Sequence, residues 1–334
     1  MAARAVILGC AGPELSAAER RFFAKADPWG FILFARNIET PEQARRLTAG
    51  LRDAVGRDAP ILIDQEGGRV QRLRGPNWRE WAPALEECAG LPLAARARAM
   101  YLRHRLIAGE LIDLGIDVNC APVLDLAGAE THAILRNRCL AGEPETVAAL
   151  GRAAAEGLLA GGALPVMKHI PGQGRAPLDS HAELPVVAAS RAELAADFAP
   201  FRALADLPMA MSAHVVYAAL DAGRPATQSP AMVRLIREEI GFDGLLMTDD
   251  LSMRALKGSF EDRAERALAA GCDVILHCNG EAGEAVAVVA ATPRLAGRAL
   301  ARAEAALARR GGGAGELPAL EAEYRALAGA SAHA

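Results

Sequence analysis

The chain has 334 residues, with 37 Lys and Arg against 41 Asp and Glu, a formal net charge of −4, 52% hydrophobic residues and 23% charged ones. That balance excludes the generic phosphate-binding surface of nucleic-acid proteins, and the apolar content excludes disorder over most of the chain. At roughly 150 residues per domain the length allows about two domains, although α/β barrels routinely hold this length in one.

The N-terminal Met1-Ala2-Ala3-Arg4 followed by Ala5–Leu8 mimics a minimal signal peptide, and Ile7-Leu8-Gly9-Cys10 resembles a lipoprotein cleavage site. The apolar stretch is much shorter than the roughly 7–15 residues an h-region needs, so Ala5–Leu8 reads as a first strand. Ser16-Ala17-Ala18-Glu19 then fits a capping box, in which hydroxyl and carboxylate satisfy orphan helix amides reciprocally. Gly30–Phe34 reads as the second strand, and Thr40-Pro41-Glu42-Gln43 opens a helix with proline at its first position. Ile61–Asp64 is the third strand. The long span Arg72–Leu114 holds a loop with Trp78 and Trp81 and then a helix from about Leu91 to Leu114. Asp117–Leu126, Pro165–His169, Met209–His214, Gly244–Thr248 and Asp273–His277 follow as strands, separated by helices opened at Ser190 and Ser229 and stopped at Gly241 and Gly271. Glu281–Ala291 and Ala296–Arg310 read as two further helices.

Most of these strands are continuous apolar runs, as strands buried on both faces are. Eight βα alternations predict a single (β/α)8 TIM barrel with extra C-terminal helices, an α/β fold, over residues 1–310. An open doubly wound sheet is the structural alternative. Residues 311–334, starting with Gly311-Gly312-Gly313, are expected to be a flexible tail with a short helix around Glu321–Leu327. The six cysteines form no CxxC pair and read as reduced, buried thiols. No run approaches the roughly 18 apolar residues of a membrane helix. The expectation is a cytoplasmic protein with no membrane and no nucleic-acid partner.

Active sites of such barrels lie at the C-terminal strand ends. There the sequence offers Arg36 and Asn37, Asp64-Gln65-Glu66, Asn119 and Asp125, Lys168-His169, His214, Asp249-Asp250, and His277 with Asn279. So many ionisable groups leaving apolar strands are costly to bury unless paired or used. The segment Lys168-His169-Ile170-Pro171-Gly172-Gln173-Gly174, continuing to Asp179-Ser180-His181, puts a carboxylate two residues before an imidazole on a turn. Such a pair would orient the ring and raise its pKa, making a competent general acid. On its own, Asp-x-His more often marks a surface histidine.

This segment is similar to the signature of glycoside hydrolase family 3, and within it to the short single-domain bacterial β-N-acetylhexosaminidases of the NagZ type. The resemblance continues in Gly30-Phe31-Ile32-Leu33-Phe34-Ala35-Arg36-Asn37, in Asp64-Gln65-Glu66-Gly67-Gly68-Arg69-Val70-Gln71-Arg72, in Gly115–Asp125, in Ala213–Tyr217 and in Gly241–Met253, so it covers about residues 5–290 in order. It implies Asp249 as nucleophile, His181 as general acid/base with Asp179 as its partner, and Asp64, Arg72, Arg138, Lys168 and His169 as ligands of the sugar. Two departures stand out. Gln173 occupies a position where members often have histidine, and Leu135-Arg136 replaces a usual Ile-Gly, which leaves Arg136 as an alternative to Arg138. Asp250 is the alternative to Asp249. Because neighbouring strand residues face opposite ways, only one of them is expected to point at the sugar.

The resemblance implies retaining hydrolysis of terminal β-linked N-acetylglucosamine from 1,6-anhydro-muropeptides during peptidoglycan recycling, with a small-molecule sugar as the partner and a monomer expected. Glycines and prolines around the Asp179–His181 loop predict mobility that lets the acid/base swing in over bound sugar. No metal is expected, since no HxxE, HExxH or CxxC arrangement is present, and no Walker loop or GxGxxG after a strand supports a nucleotide cofactor. Alternatives are another β-glycosidase, whose known forms usually carry further domains, a β-N-acetylglucosaminide phosphorylase, and a catalytically silent sugar-binding barrel. Glu66 can equally be structural, Asn119 and Asp125 read as structural, and His214 and His277 read as ordinary strand-end histidines.

Overall fold

The computed structural model describes residues 2–87, 89–178, 183–312 and 317–331. The eight apolar runs form the barrel strands β1 (Arg4–Gly9), β2 (Pro28–Leu33), β3 (Ile61–Ile63), β4 (Val118–Asn119), β5 (Leu164–Ile170), β6 (Met209–Ser212), β7 (Leu245–Asp250) and β8 (Val274–His277). Each pairs in parallel with its neighbours in sequence, and β8 closes onto β1, giving the expected (β/α)8 barrel. Alternation explains why the runs are apolar throughout. Ile7, Ile32, Leu62, Val166, Met211 and Met247 fill the interior, whereas Val6, Leu8, Phe31, Leu33, Ile61 and Ile63 face the helices.

Helices α1 (Ala17–Ala26), α2 (Pro41–Val55), α3 (Leu93–Asp113), α4 (Ala133–Arg136), α5 (Pro144–Ala160), α6 (Arg191–Ala203), α7 (Pro230–Glu238), α8 (Phe260–Ala270), α9 (Ala282–Ala291) and α10 (Gly297–Leu307) surround the barrel. Ser16 and Ser190 form capping boxes with Glu19 and Glu193, and the Thr40 and Ser229 hydroxyls cap helices that begin with proline. Gly271 ends α8 at φ 113°, where a Cβ would also sit 2.9 Å from Val233. A last helix, α11 (Leu317–Ser331), packs on α3, with Leu317 seated over Gly109 and Tyr324 edge-on to Trp81 at 5.4 Å. No helix of the described residues is long and apolar enough to cross a membrane.

The fourth strand is much shorter than the expected Asp117–Leu126. Pro122 has no N–H for the ladder, and contact with β5 continues only as a bridge between Val123 and Lys168. The chain then leaves the sheet, carrying Asp125 over the barrel mouth. An antiparallel hairpin of Gln65–Gly67 with Val70–Gln71 was not expected; Gly67 and Gly68, at φ 98° and 58°, make its turn.

At the opposite end of the barrel, buried Asp273 accepts hydrogen bonds from Leu246 N (2.9 Å), Arg237 Nη2 (2.7 Å) and Arg302 Nη1 (3.0 Å). Removing it takes the carboxylate partner from Arg237, which is only slightly exposed and keeps just two carbonyl acceptors, while Arg302 retains Asp243. Asp273→Ala is therefore expected to cost about 3 kcal/mol of stability and to lower Tm by roughly 5 °C or more without changing the distant strand ends. A thermal melt indistinguishable from wild type would contradict this account.

Candidate active site

Asp64, Arg72, Arg138, Lys168, His169 and Asp249, all named from the sequence, border one cavity of about 160 Å³ at the C-terminal mouth of the barrel. Asp179 and His181 lie outside the described residues. Two irregularities in the strands bring neighbouring side chains to the same wall. The β5–β6 register shifts between Lys168 and Ile170, and the β7–β8 register shifts between Met247 and Asp250. Such slips re-aim side chains that a regular pleat would send to opposite faces. Asp249 and Asp250 both border the cavity.

The wall is a continuous run of alternating charge. Asp64 accepts from Arg72 Nη2 (2.9 Å) and from Lys168 Nζ (2.7 Å). Lys168 Nζ also lies 2.6 Å from Glu66 Oε1, and Glu66 takes a two-pronged bond from Arg138 Nε (2.9 Å) and Nη2 (2.8 Å). Arg138 Nη2 then meets His169 Nε2 at 3.2 Å, and His169 Nδ1 meets Asp125 Oδ2 at 2.7 Å. A guanidinium can only donate, so His169 Nε2 carries the lone pair and Nδ1–H points at Asp125. The other Asp125 oxygen accepts the Gln173 N–H at 2.8 Å, and the Gln173 carboxamide sits against His169 Nδ1 and borders the cavity.

Burial by itself would raise the Asp64 and Glu66 carboxyls, but the cations outweigh it. Lys168 and Arg72 hold Asp64 well below the carboxylate range, and Arg138 and Lys168 do the same for Glu66. In return, the two carboxylates keep Lys168 charged despite its burial, above the ordinary lysine value. The wall is thus ionised and fixed, with donors and acceptors set for hydroxyl groups at short range.

On the opposite side, both Asp250 oxygens are occupied. Ser252 N (3.0 Å) and Cys278 N (3.1 Å) bind Oδ1, and Ser252 Oγ (2.5 Å) binds Oδ2. Asp249 accepts the Asp250 N–H on Oδ1 at 2.8 Å and faces the cavity. Arg136 is exposed and donates to the Gly128 carbonyl (2.8 Å), away from the cavity that Arg138 borders. Phe34 lies between the guanidiniums of Arg36 (5.0 Å) and Arg72 (4.8 Å), which orients Arg72. Trp81 is buried between Arg103 (5.5 Å) and Tyr324, and neither it nor Trp78 borders the cavity. Sequence reasoning missed Phe34 and the linking roles of Glu66 and Asp125. Their position at strand ends was visible, but their partners, 72 and 44 residues away, were not.

Residues 8–307 match the family described as Glycosyl hydrolase family 3 N terminal domain. A beta-hexosaminidase of Alkalilimnicola ehrlichii is 40% identical over 283 residues, covering 82% of this chain and 80% of that protein. One from Pseudomonas aeruginosa is 38% identical over 291 residues and 85% of each. The structure of NagZ from Neisseria gonorrhoeae in complex with N-trifluoroacetyl-D-glucosamine is similar at a TM-score of 0.87 and 32% identity, covering 99% of both chains.

The charged wall has a consequence for acid stability. Asp64 and Glu66 have folded pKa values below their ordinary 3.8 and 4.5. Their stabilisation is therefore fully present above those ordinary values and is lost as pH falls below them through the folded values. Lys168→Met leaves both carboxylates buried with less compensation, so their pKa values rise and acid unfolding starts at higher pH. In melts taken from about pH 7 down to about pH 3, the variant's Tm is expected to decline earlier than that of wild type. Parallel curves would show that Lys168 does not hold the carboxylates charged.

Proposed function

The chain belongs to glycosyl hydrolase family 3, and on that premise we propose that it releases terminal β-linked N-acetylglucosamine with retention of configuration. The observation that carries the reading is a single cavity with the Asp249 carboxylate on one side and the fixed Asp64, Arg72 and Lys168 groups on the other. The names of its relatives, beta-hexosaminidases, support the same sugar.

Asp249 attacks the anomeric carbon, and the bond to the aglycone oxygen breaks as His181 donates its proton to that oxygen. The covalent glycosyl-enzyme is then hydrolysed by a water that His181 deprotonates, which frees Asp249 and preserves the β configuration. Asp179 orients the His181 ring. The roles of Asp179 and His181 rest on the sequence motif. Asp64, Arg72, Lys168, Arg138 and His169 bind and orient the sugar, so its entropy is lost on binding and not in the transition state. Asp250 has both oxygens held by Ser252 and Cys278, and the sequence motif selects Asp249 as the nucleophile. We extend the reading to N-acetylglucosamine linked to 1,6-anhydro-N-acetylmuramic acid, released in the cytoplasm as peptidoglycan is recycled.

The test is release of 4-nitrophenol from its β-N-acetylglucosaminide and its β-glucoside, with and without phosphate. Turnover of the N-acetyl substrate alone, independent of phosphate, is expected. Asp249→Ala is expected to lower kcat on the order of 10⁴-fold, and His181→Ala by about 10²–10⁴-fold. A phosphate-dependent rate would move the reaction to phosphorolysis, and a fully active Asp249→Ala would remove the nucleophile assignment.

A further inference from the structure

The proposed nucleophile sits where the regular sheet has ended. The β6–β7 ladder runs Leu245 with Met209, Leu246 with Ala210 and Met247 with Met211, and then stops. On the other side, β7 slips against β8 between Met247 and Asp250. Asp250 still pairs with Leu276, and the Leu251 N–H reaches the Leu276 carbonyl at 3.0 Å, so it is on the β6 side that residues 249 and 250 have no ladder partner.

A buried side chain from the end of β6 takes the place of a ladder partner. His214 is fully buried, and its Nε2 lies 3.1 Å from the Asp250 carbonyl, which also accepts the Met253 N–H at 3.2 Å. A carbonyl only accepts, so Nε2 carries the proton. Burial disfavours the imidazolium and holds the ring's pKa below the ordinary value, against the pull of Asp249 and of Asp250. The ring is then neutral, with its lone pair on Nδ1, 2.8 Å from Thr227 Oγ1. Thr227 Oγ1 is in turn 2.8 Å from Ser212 Oγ and 3.0 Å from the Ala213 carbonyl. Thr227 has one hydroxyl proton for the ring and the Ala213 carbonyl, so it holds Nδ1 in a close polar contact shared with Ser212. Ser212, Thr227 and His214 are all 0% exposed, so no solvent competes for these bonds.

A buried run of polar contacts thus joins Ser212 through Thr227 and His214 to the Asp250 carbonyl. The N–H of that same residue donates to Asp249 Oδ1 at 2.8 Å. We propose that His214 is a positioning residue for catalysis: by holding the Asp250 carbonyl it fixes the Asp250 N–H that orients the Asp249 carboxylate toward the cavity. This rests on the reading of Asp249 as nucleophile. His214 does not border the cavity, so its contribution falls on kcat and not on sugar affinity.

The test measures kcat, KM and Tm for 4-nitrophenyl β-N-acetylglucosaminide with His214→Ala, His214→Gln and Thr227→Val, and Asp249→Ala as control. His214→Ala is expected to lower kcat about 10–100-fold, because a small misplacement of a reacting group costs up to about 10²-fold, with KM within about threefold. His214→Gln, whose amide can supply the same N–H, is expected to recover about tenfold of that loss at a Tm no higher than that of the alanine variant. Thr227→Val removes the hydroxyl that holds His214 Nδ1 and is expected to lower kcat about three- to tenfold; it decides the matter if His214→Ala does not fold. Unchanged kcat in the foldable variants, equal kcat in the alanine and glutamine variants, or a loss confined to KM would overturn the proposal. An inactive Asp249→Ala beside a fully active His214→Ala removes only the positioning role, whereas an active Asp249→Ala removes the nucleophile assignment itself.

Discussion

The Lys168 ammonium, buried between Asp64 and Glu66, is the contact on which the rest of the site depends. A charge taken out of water is stable only if its partners recover the lost solvation. Here the partners come from two other places in the fold: the chain leaving β3 supplies both carboxylates, and the loop after α4 supplies Arg138. None of these groups can be ionised and dry until β3, β4 and β5 lie side by side. Closing the barrel is therefore what makes the site, and an ionised Lys168 is a property of the closed barrel. What the protein gains is orientation, since a hydroxyl-bearing ligand meets groups already fixed by one another.

The sheet supplies this orientation through its irregularities. A regular parallel strand sends alternate side chains to the interior and to the helices, which serves the hydrophobic layers formed by Ile7, Leu62 and Met247 on one side and Val6, Ile61 and Ile63 on the other. At the mouth that rule is broken in three places. The slips beside Lys168 and beside Asp250 put consecutive residues on one wall, and Pro122 ends β4 early so that Asp125 can swing across to His169. The barrel is regular where it is stabilised by burial and irregular where it does chemistry.

The same division explains what could be read from the sequence. Strands β1, β5, β7 and β8 were visible because two-sided burial leaves continuous apolar runs, and the caps at Ser16, Thr40, Ser190 and Ser229 because capping is local chemistry. The Gln65–Gln71 hairpin and the early end of β4 were not, since both depend on which backbone groups find a partner in three dimensions. In the site, Asp64, Arg72, Lys168, His169 and Asp249 could be named because they are strand-end polar residues within recognisable motifs. The Glu66–Arg138 and Asp125–His169 pairs could not, because nothing local joins residues so far apart in sequence. His214 looked like an ordinary buried histidine, and its bond to the Asp250 carbonyl exists only because the β6–β7 ladder stops short.

The charge at the mouth also bears on the choice of a histidine as the proposed acid. Five carboxylates, Asp64, Glu66, Asp125, Asp249 and Asp250, stand against the permanent cations Arg72, Arg138 and Lys168, while His169 has the hydrogen bonding of a neutral ring. An excess of negative charge favours an imidazolium and penalises another carboxylate. An imidazole is neutral or cationic where a further carboxyl would add to the repulsion, which is the physical ground for a histidine as the acid beside the carboxylates of this mouth.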